Sequence, residues 1–194
     1  MNSRIEKDIV FRAAVHLDNK FYTNTYIATL SLFVDNCKFN DEPIIAFERI
    51  YYFLENHIND SVFICEDKID MIDRYNRANI NVITFPEEPT DEVVTGILLL
   101  KLNSIMEGRL HITDMLLSST LSDGIRYNVV SEIAESIYGT GNFWWNKSCT
   151  ITDNDNLIEY HHNVVQLFEK NYWEDLGLEY PDKNTIEFDK PQTI

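Results

Sequence analysis

Five histidines, three cysteines and one dense group of carboxylates are the side chains that could do chemistry in this 194-residue chain. His161 and His162 are adjacent, and on a helix neighbours point about 100° apart, so they cannot share one metal face. They read as polar surface residues. His57 falls near a helix end, where a cation is favourable, and His111 in a strand pattern. Cys37, Cys65 and Cys149 are odd in number, widely separated and without CxxC spacing, so they read as reduced, buried thiols. Glu87, Glu88, Asp91 and Glu92 form the densest acidic cluster. They fit either a carboxylate group for a divalent metal or amine, or acids complementing the positive end of a helix. Trp144 and Trp145, beside Phe143, could stack on a base or sugar; packing of the chain that follows onto the body is the stronger reading. No GxGxxG, Walker A, GxSxG or HExxH pattern occurs.

These residues must be positioned by elements that the hydrophobic period lays out. Ile9–Leu17 and Tyr26–Val34 are apolar, β-branched runs separated by a polar break, which predicts an antiparallel hairpin. Tyr26–Val34 is apolar on alternate and intervening positions, so both faces are expected to be covered. Phe47, Ile50, Leu54 and Ile58 recur at helical spacing through Ile44–His57, after Pro43 in a first turn. A second short helix is expected over Asp67–Asn76, with Ile69, Ile72 and Tyr75 on one stripe. Asn81–Phe85 is a short β-type run stopped by Pro86. Thr90 can cap a helix that starts with Asp91 and Glu92 and runs to about Met106. Leu110–Ser119 and Ile125–Val130 then form a second hairpin around Asp123-Gly124.

After Gly139 the character changes to an aromatic, glycine-punctuated stretch, then an amphipathic segment over Leu157–Tyr172. The last 44 residues hold ten acidic and three basic side chains, which predicts a solvated tail. The division expected is therefore residues 1–138 as an α+β domain and 139–194 as an aromatic loop with an acidic helical extension. The net charge is −16, against broad phosphate neutralisation, so no direct nucleic-acid binding is expected. No apolar run approaches the ~20 residues of a membrane span, and the first residues lack a signal-peptide core. A soluble, cytoplasmic protein is expected; its Asn- and Ile-rich composition suggests an AT-rich genome, which for a virus would mean the host cytoplasm.

The element order, with Phe11-Arg-Ala-Ala-Val-His16, Ala46-Phe47 and Pro89-Thr90-Asp91-Glu92-Val93, resembles the tunnelling-fold (T-fold) family of 6-pyruvoyl- and 6-carboxy-tetrahydropterin synthases over Phe11–Tyr127. The resemblance implies an antiparallel four-stranded half-sheet of two hairpins with helices on one face. Several subunits would close such half-sheets into a barrel with ligand sites at their boundaries. It also implies where chemistry would lie. The family's zinc sits on one histidine of the first strand and a His-x-His pair opening the second. Here His16 is the candidate, displaced by the extra Val15, and Phe21–Tyr26 contains no histidine. The family's Leu-Asp-His motif would fall near Asn59-Asp60-Ser61, without an imidazole, and its cysteine base is absent. Its heterocycle-anchoring glutamate would fall around Leu117-Ser118-Ser119-Thr120, where hydroxyls could replace it more weakly.

The expectation is therefore a divergent, non-catalytic T-fold protein, a pseudoenzyme without metal or other cofactor. It would act as a homo-oligomeric assembly component or as a binder of a small purine- or pterin-like heterocycle. Glu92, Ser118, Ser119 and His16 are the candidate ligand-binding residues. Unpaired outer strands are the physical reason to expect the oligomer. Two alternatives stand beside it. One is an acidic mimic of nucleic acid that occupies a basic partner. The other is a pterin- or 7-deazaguanine-pathway enzyme with a site rebuilt from His16, Glu92, Asp60 and Ser119.

Overall fold

The computed structural model describes residues 4–34, 41–148 and 173–181. The amphipathic segment Leu157–Tyr172, His161, His162, Cys37 and Cys149 lie outside these residues. β1 (Arg4–Leu17) and β2 (Lys20–Val34) pair antiparallel along their whole length, from Arg4 opposite Phe33 to Leu17 opposite Lys20. Asp18 and Asn19, with φ of 49° and 58°, form the two-residue turn between them, a left-handed pair that Asp and Asn tolerate. α1 (Glu42–Phe53) continues into a π-helical turn, Leu54–Ile58. β3 (Ser61–Cys65), α2 (Ile69–Arg77) and β4 (Val82–Phe85) follow. Then come α3 (Asp91–Met106), the hairpin of β5 (Leu110–Ser119) and β6 (Arg126–Val130), and α4 (Ser131–Tyr138).

The sheet has six strands in the order β4-β3-β1-β2-β5-β6, antiparallel through β1-β2-β5-β6 and parallel through β1-β3-β4. The two hairpins lie side by side as the sequence implies, but the four-stranded antiparallel sheet is corrected to a six-stranded mixed one. The difference is β3. Ser61-Val-Phe-Ile-Cys is a continuous apolar run buried at all five positions, the pattern of a parallel strand covered on both faces. Helices on one face are corrected too. Val62, Ile64 and Ile72 are buried outside the main core, so α2 covers the face opposite α1 and α3, at the β3–β4 end only.

The main core lies between the sheet and the α1–α3 layer. Phe11, Tyr26, Ala28, Leu30, Leu32, Met115 and Leu117 face it. α3 is buried almost all round because it touches β5, β6, α1, α4 and the aromatic segment. Gly96 admits the Tyr138 ring, which would stand 3.1 Å from a Cβ there. Thr90 caps the helix through Val93 N–H. Trp144 and Trp145 are packing residues: both are buried, and their indole N–H groups donate to Thr84 O (3.0 Å) and Tyr138 O (2.9 Å). Chain beyond them also docks on the body, at residues 173–181. Arg49 donates to Leu178 O at 2.7 Å, and its guanidinium lies 4.8 Å from the Trp173 ring and 4.0 Å from the Tyr180 ring.

The second face of β2 is open in the single chain: Ile27 and Phe33 are 51% and 37% exposed. One edge is open as well. Arg12 N–H donates to Asn59 Oδ1 at 2.9 Å and Arg12 O accepts from Asp60 N–H at 3.0 Å, so the Arg12 backbone points away from β2. By strand alternation the backbones of Arg4, Glu6, Asp8 and Val10 point the same way. β3 reaches only Ala13–Val15. Among the described residues, no strand pairs with the outer edge of β1 below them, nor with the outer edge of β6. No helix among the described residues is long and apolar enough to cross a membrane.

Candidate functional site

A polar group gathers where the start of α3 meets the ends of β2 and β5. β2 brings Asn24 and Tyr26 onto the helix-facing side, β5 brings Ser119 with Thr120 just beyond it, and α3 brings Asp91. Ser119 Oγ donates to Asp91 Oδ2 at 2.7 Å. Thr120 Oγ1 donates to Asn24 Oδ1 at 2.7 Å, and Leu121 N–H reaches the same oxygen at 3.3 Å. Asn24 is 4% exposed and Tyr26 fully buried, and the Asn24 amide is hydrogen-bonded to the Tyr26 oxygen. Burial pushes the Tyr26 phenol up, opposed by the nearby Asn24 amide, so it stays a neutral donor at physiological pH.

A cleft of about 350 Å³ lies at this end of the sheet, lined by residues of β1 and β2 that include Arg12, Thr23, Asn24 and Thr25, with Asp60 and Thr120. That is the lower end of the range for small-molecule sites. Its lining is largely apolar, includes Ala13 and Ala14, and carries several hydroxyls, one guanidinium and one carboxylate. Such a surface can orient a neutral, planar, hydrogen-bonding molecule. Asp60, at φ 59°, is held in the left-handed region where its N–H meets Arg12 O.

The candidate residues from the sequence do not converge. Ser119 enters the polar group, but its partner is Asp91 rather than Glu92, which is exposed in the same helical turn. Ser118 points to the other face, its hydroxyl 3.5 Å from Ile27 O, because successive strand residues alternate. His16 lies nearer the hairpin turn, opposite Phe21, and on the other face of the sheet from Asn24, and Asp60 lines the cleft. Asn24, Tyr26 and Asp91 were not legible as a group, although an Asn in phase with Tyr22, Tyr26, Ala28 and Leu30 is a visible signal of a polar contact on a buried face.

The displaced histidine has a structural consequence. Val15, in phase with Phe11 and Ala13, is fully buried on the core side, opposite Tyr22, while Ala13 stands opposite Asn24. His16, the next residue along, stands on the reverse face of the sheet, since successive strand residues alternate sides. There it is 4% exposed, with Nδ1 unpartnered, opposite Phe21, whose ring meets Tyr75 of α2. Among the described residues no three His, Cys, Asp or Glu side chains come together as a metal site.

The acidic cluster is likewise dispersed. Glu87 accepts from the Tyr138 hydroxyl at 2.7 Å, Glu88 lies 3.5 Å from Lys68, and Asp91 belongs to Ser119. The Cys65 thiol is buried and pushed up by that burial, away from the thiolate form. Lys101 is fully buried and donates to Trp144 O (3.2 Å) and Lys147 O (2.8 Å). His57 packs against Tyr52 and Phe53, and burial, with the Lys101 charge second, holds its imidazole down to about 4.

No protein-family model and no curated protein matches the chain. Among solved structures, 6-pyruvoyltetrahydropterin synthase of Plasmodium vivax is similar at 10% identity and a TM-score of 0.42, over 66% of this chain and 97% of that one. A catalytic-residue mutant of the same enzyme gives a TM-score of 0.43 over the same shares. The Plasmodium falciparum enzyme is 13% identical over 66% of this chain and 96% of that one, at a TM-score of 0.40. At this level the likeness assigns no role to any residue. The likeness to the 6-pyruvoyltetrahydropterin synthases is one of α+β fold alone.

Proposed function

We propose that this chain is a non-catalytic T-fold-like protein that assembles edge to edge into a homo-oligomeric ring and holds a small purine- or pterin-like heterocycle at the Asn24–Thr120 cleft. The observation that carries the reading is the level of the two open edges. Following the pairings across the sheet, Arg126 lies level with Ser118, Ile27 and Val10. Asn128 lies level with Asp8, and Val130 with Glu6. β6 therefore stands at the height where β1 is unpaired, below the three residues that β3 occupies. In a ring, β6 of one copy would meet β1 of the next antiparallel, because strand direction alternates through β1-β2-β5-β6. The outer edge of Arg4–Val10 leaves room for the stagger that barrel closure requires. Exposed Val10, Ile27 and Phe33 would line the inner face.

The non-catalytic part rests on the stretch Phe21–Tyr26, which the resemblance matches to a His-x-His pair, containing no histidine, and on His16 being displaced by Val15. The heterocycle rests on the hydroxyls of Thr23, Thr25 and Thr120 and the Arg12 and Asp60 side chains that line the cleft. Light scattering on purified protein tests the assembly. The wild type is expected at a multiple of 22.8 kDa, and Glu6→Pro at 22.8 kDa with unchanged circular dichroism. Proline removes only an outward N–H there, sparing the β2 ladder. A wild-type monomer at micromolar concentration would overturn the reading.

A further inference from the structure

Among the described residues the helix layer carries its own pair of exposed apolar stripes, one above each open sheet edge. On the β6 side, α4 packs on α3 with Ser131 and Ala134 inward, yet presents Ile133 and Ile137 at 52% and 61% exposure. They are four residues apart and so share a face. Large aliphatics on the outer side of an eight-residue helix are not explained by the chain's own core. On the β1 side, α1 presents Ile44 (59% exposed) and Tyr51 (37% exposed), seven residues apart on one stripe. Tyr51 stands over the open edge itself, its ring 5.7 Å from Lys7 Nζ of β1. α3 lies between the two helices, so the stripes face outward on opposite sides of one layer.

We infer that α4 of one copy packs on α1 of the next, Ile133 and Ile137 against Ile44 and Tyr51, forming a helix-on-helix seam outside the strand seam. The inference rests on the ring reading: when β6 meets the next copy's β1, the layer above it places α4 beside the next copy's α1. A second copy is the occupant because both halves of the contact are on one chain, each continuous with an open edge at the same height. The strand seam alone supplies hydrogen bonds that slide in register; the apolar helix contact fixes one register and rotation. It also excludes water from the outer side of the seam, where exposed edge amides would otherwise compete for solvent.

The test uses the full chain with cysteines at the proposed contact, Ile44→Cys with Ile137→Cys, under mild oxidation. The two positions lie on opposite sides of one molecule, so a disulfide between them joins copies. A ladder of covalent oligomers on a non-reducing gel is expected for the double variant, above the background of each single variant. Separately, Ile133→Asp with Ile137→Asp is expected to weaken self-association by on the order of tenfold or more with the monomer's circular dichroism unchanged, since both side chains are already exposed. An oligomeric wild type whose double-cysteine variant shows no ladder overturns the helix seam and leaves the ring. A monomeric wild type overturns both.

Discussion

Acidification from about pH 7.5 to about pH 5 should cost this protein about 2 kcal/mol of stability through one side chain, His57. Its imidazole packs on Phe53 and Tyr52 inside the α1–α3 layer and titrates at about 4, with burial the larger cause and Lys101 the second. An unfolded histidine titrates near 6.5. Above that value both states are neutral at this position and nothing is lost. Below it the unfolded chain takes up a proton that the folded chain refuses until the pH approaches 4, so stability falls across that window. The full difference is roughly 3 kcal/mol, about two-thirds of it lost by pH 5. Urea unfolding followed by tryptophan fluorescence, at fixed protein concentration and two pH values, reads the loss. Carboxylates titrate over the same range, so the decisive quantity is the difference from His57→Phe, which keeps an aromatic ring among Tyr52 and Phe53. The wild type should lose about 2 kcal/mol more than the variant between the two pH values. Equal losses, within about 0.5 kcal/mol, would refute the claim that burial holds this imidazole neutral.

Two further outcomes follow from contacts already described. Arg49→Met removes a guanidinium held by Leu178 O, Ile105 O and Glu107 and covered by the Trp173 and Tyr180 rings. It should lower stability by about 3 kcal/mol and make residues 173–181 cleavable under limited proteolysis, whereas a loss below about 1 kcal/mol would show that the clamp is incidental. Guanine or pterin should raise the melting temperature of the wild type, and Asn24→Leu should abolish the rise. An equal rise in the variant would place the ligand elsewhere.

Hairpins, capped helices and the polar break between them were legible in this sequence because each is decided by neighbours a few residues apart. Asp18-Asn19 and Asp123-Gly124 announce their turns by residue types that tolerate positive φ, and Thr90 announces α3 by the hydroxyl that meets Val93 N–H. The packing role of Trp144 and Trp145 also follows from their type. β3 was not legible: five apolar residues after a helix are a strand only because β1 and β4, far away in sequence, supply edges on either side. The same holds for α4, whose eight residues read as helix only against α3.

What the sequence determined by itself is the alternation of apolar and polar positions, and with it the side of the sheet on which each residue can stand. That is why Val15 and His16 cannot exchange roles. Tertiary structure alone decided which of those sides meet. Asn24, Tyr26, Asp91 and Thr120 come from three separate elements, and their grouping depends on how far β5 slides along β2, a register set by the whole core. Strand alternation is local and leaves a trace in every second residue. Register is collective, summed over contacts such as Leu30 with Met115, and no single stretch of chain contains it.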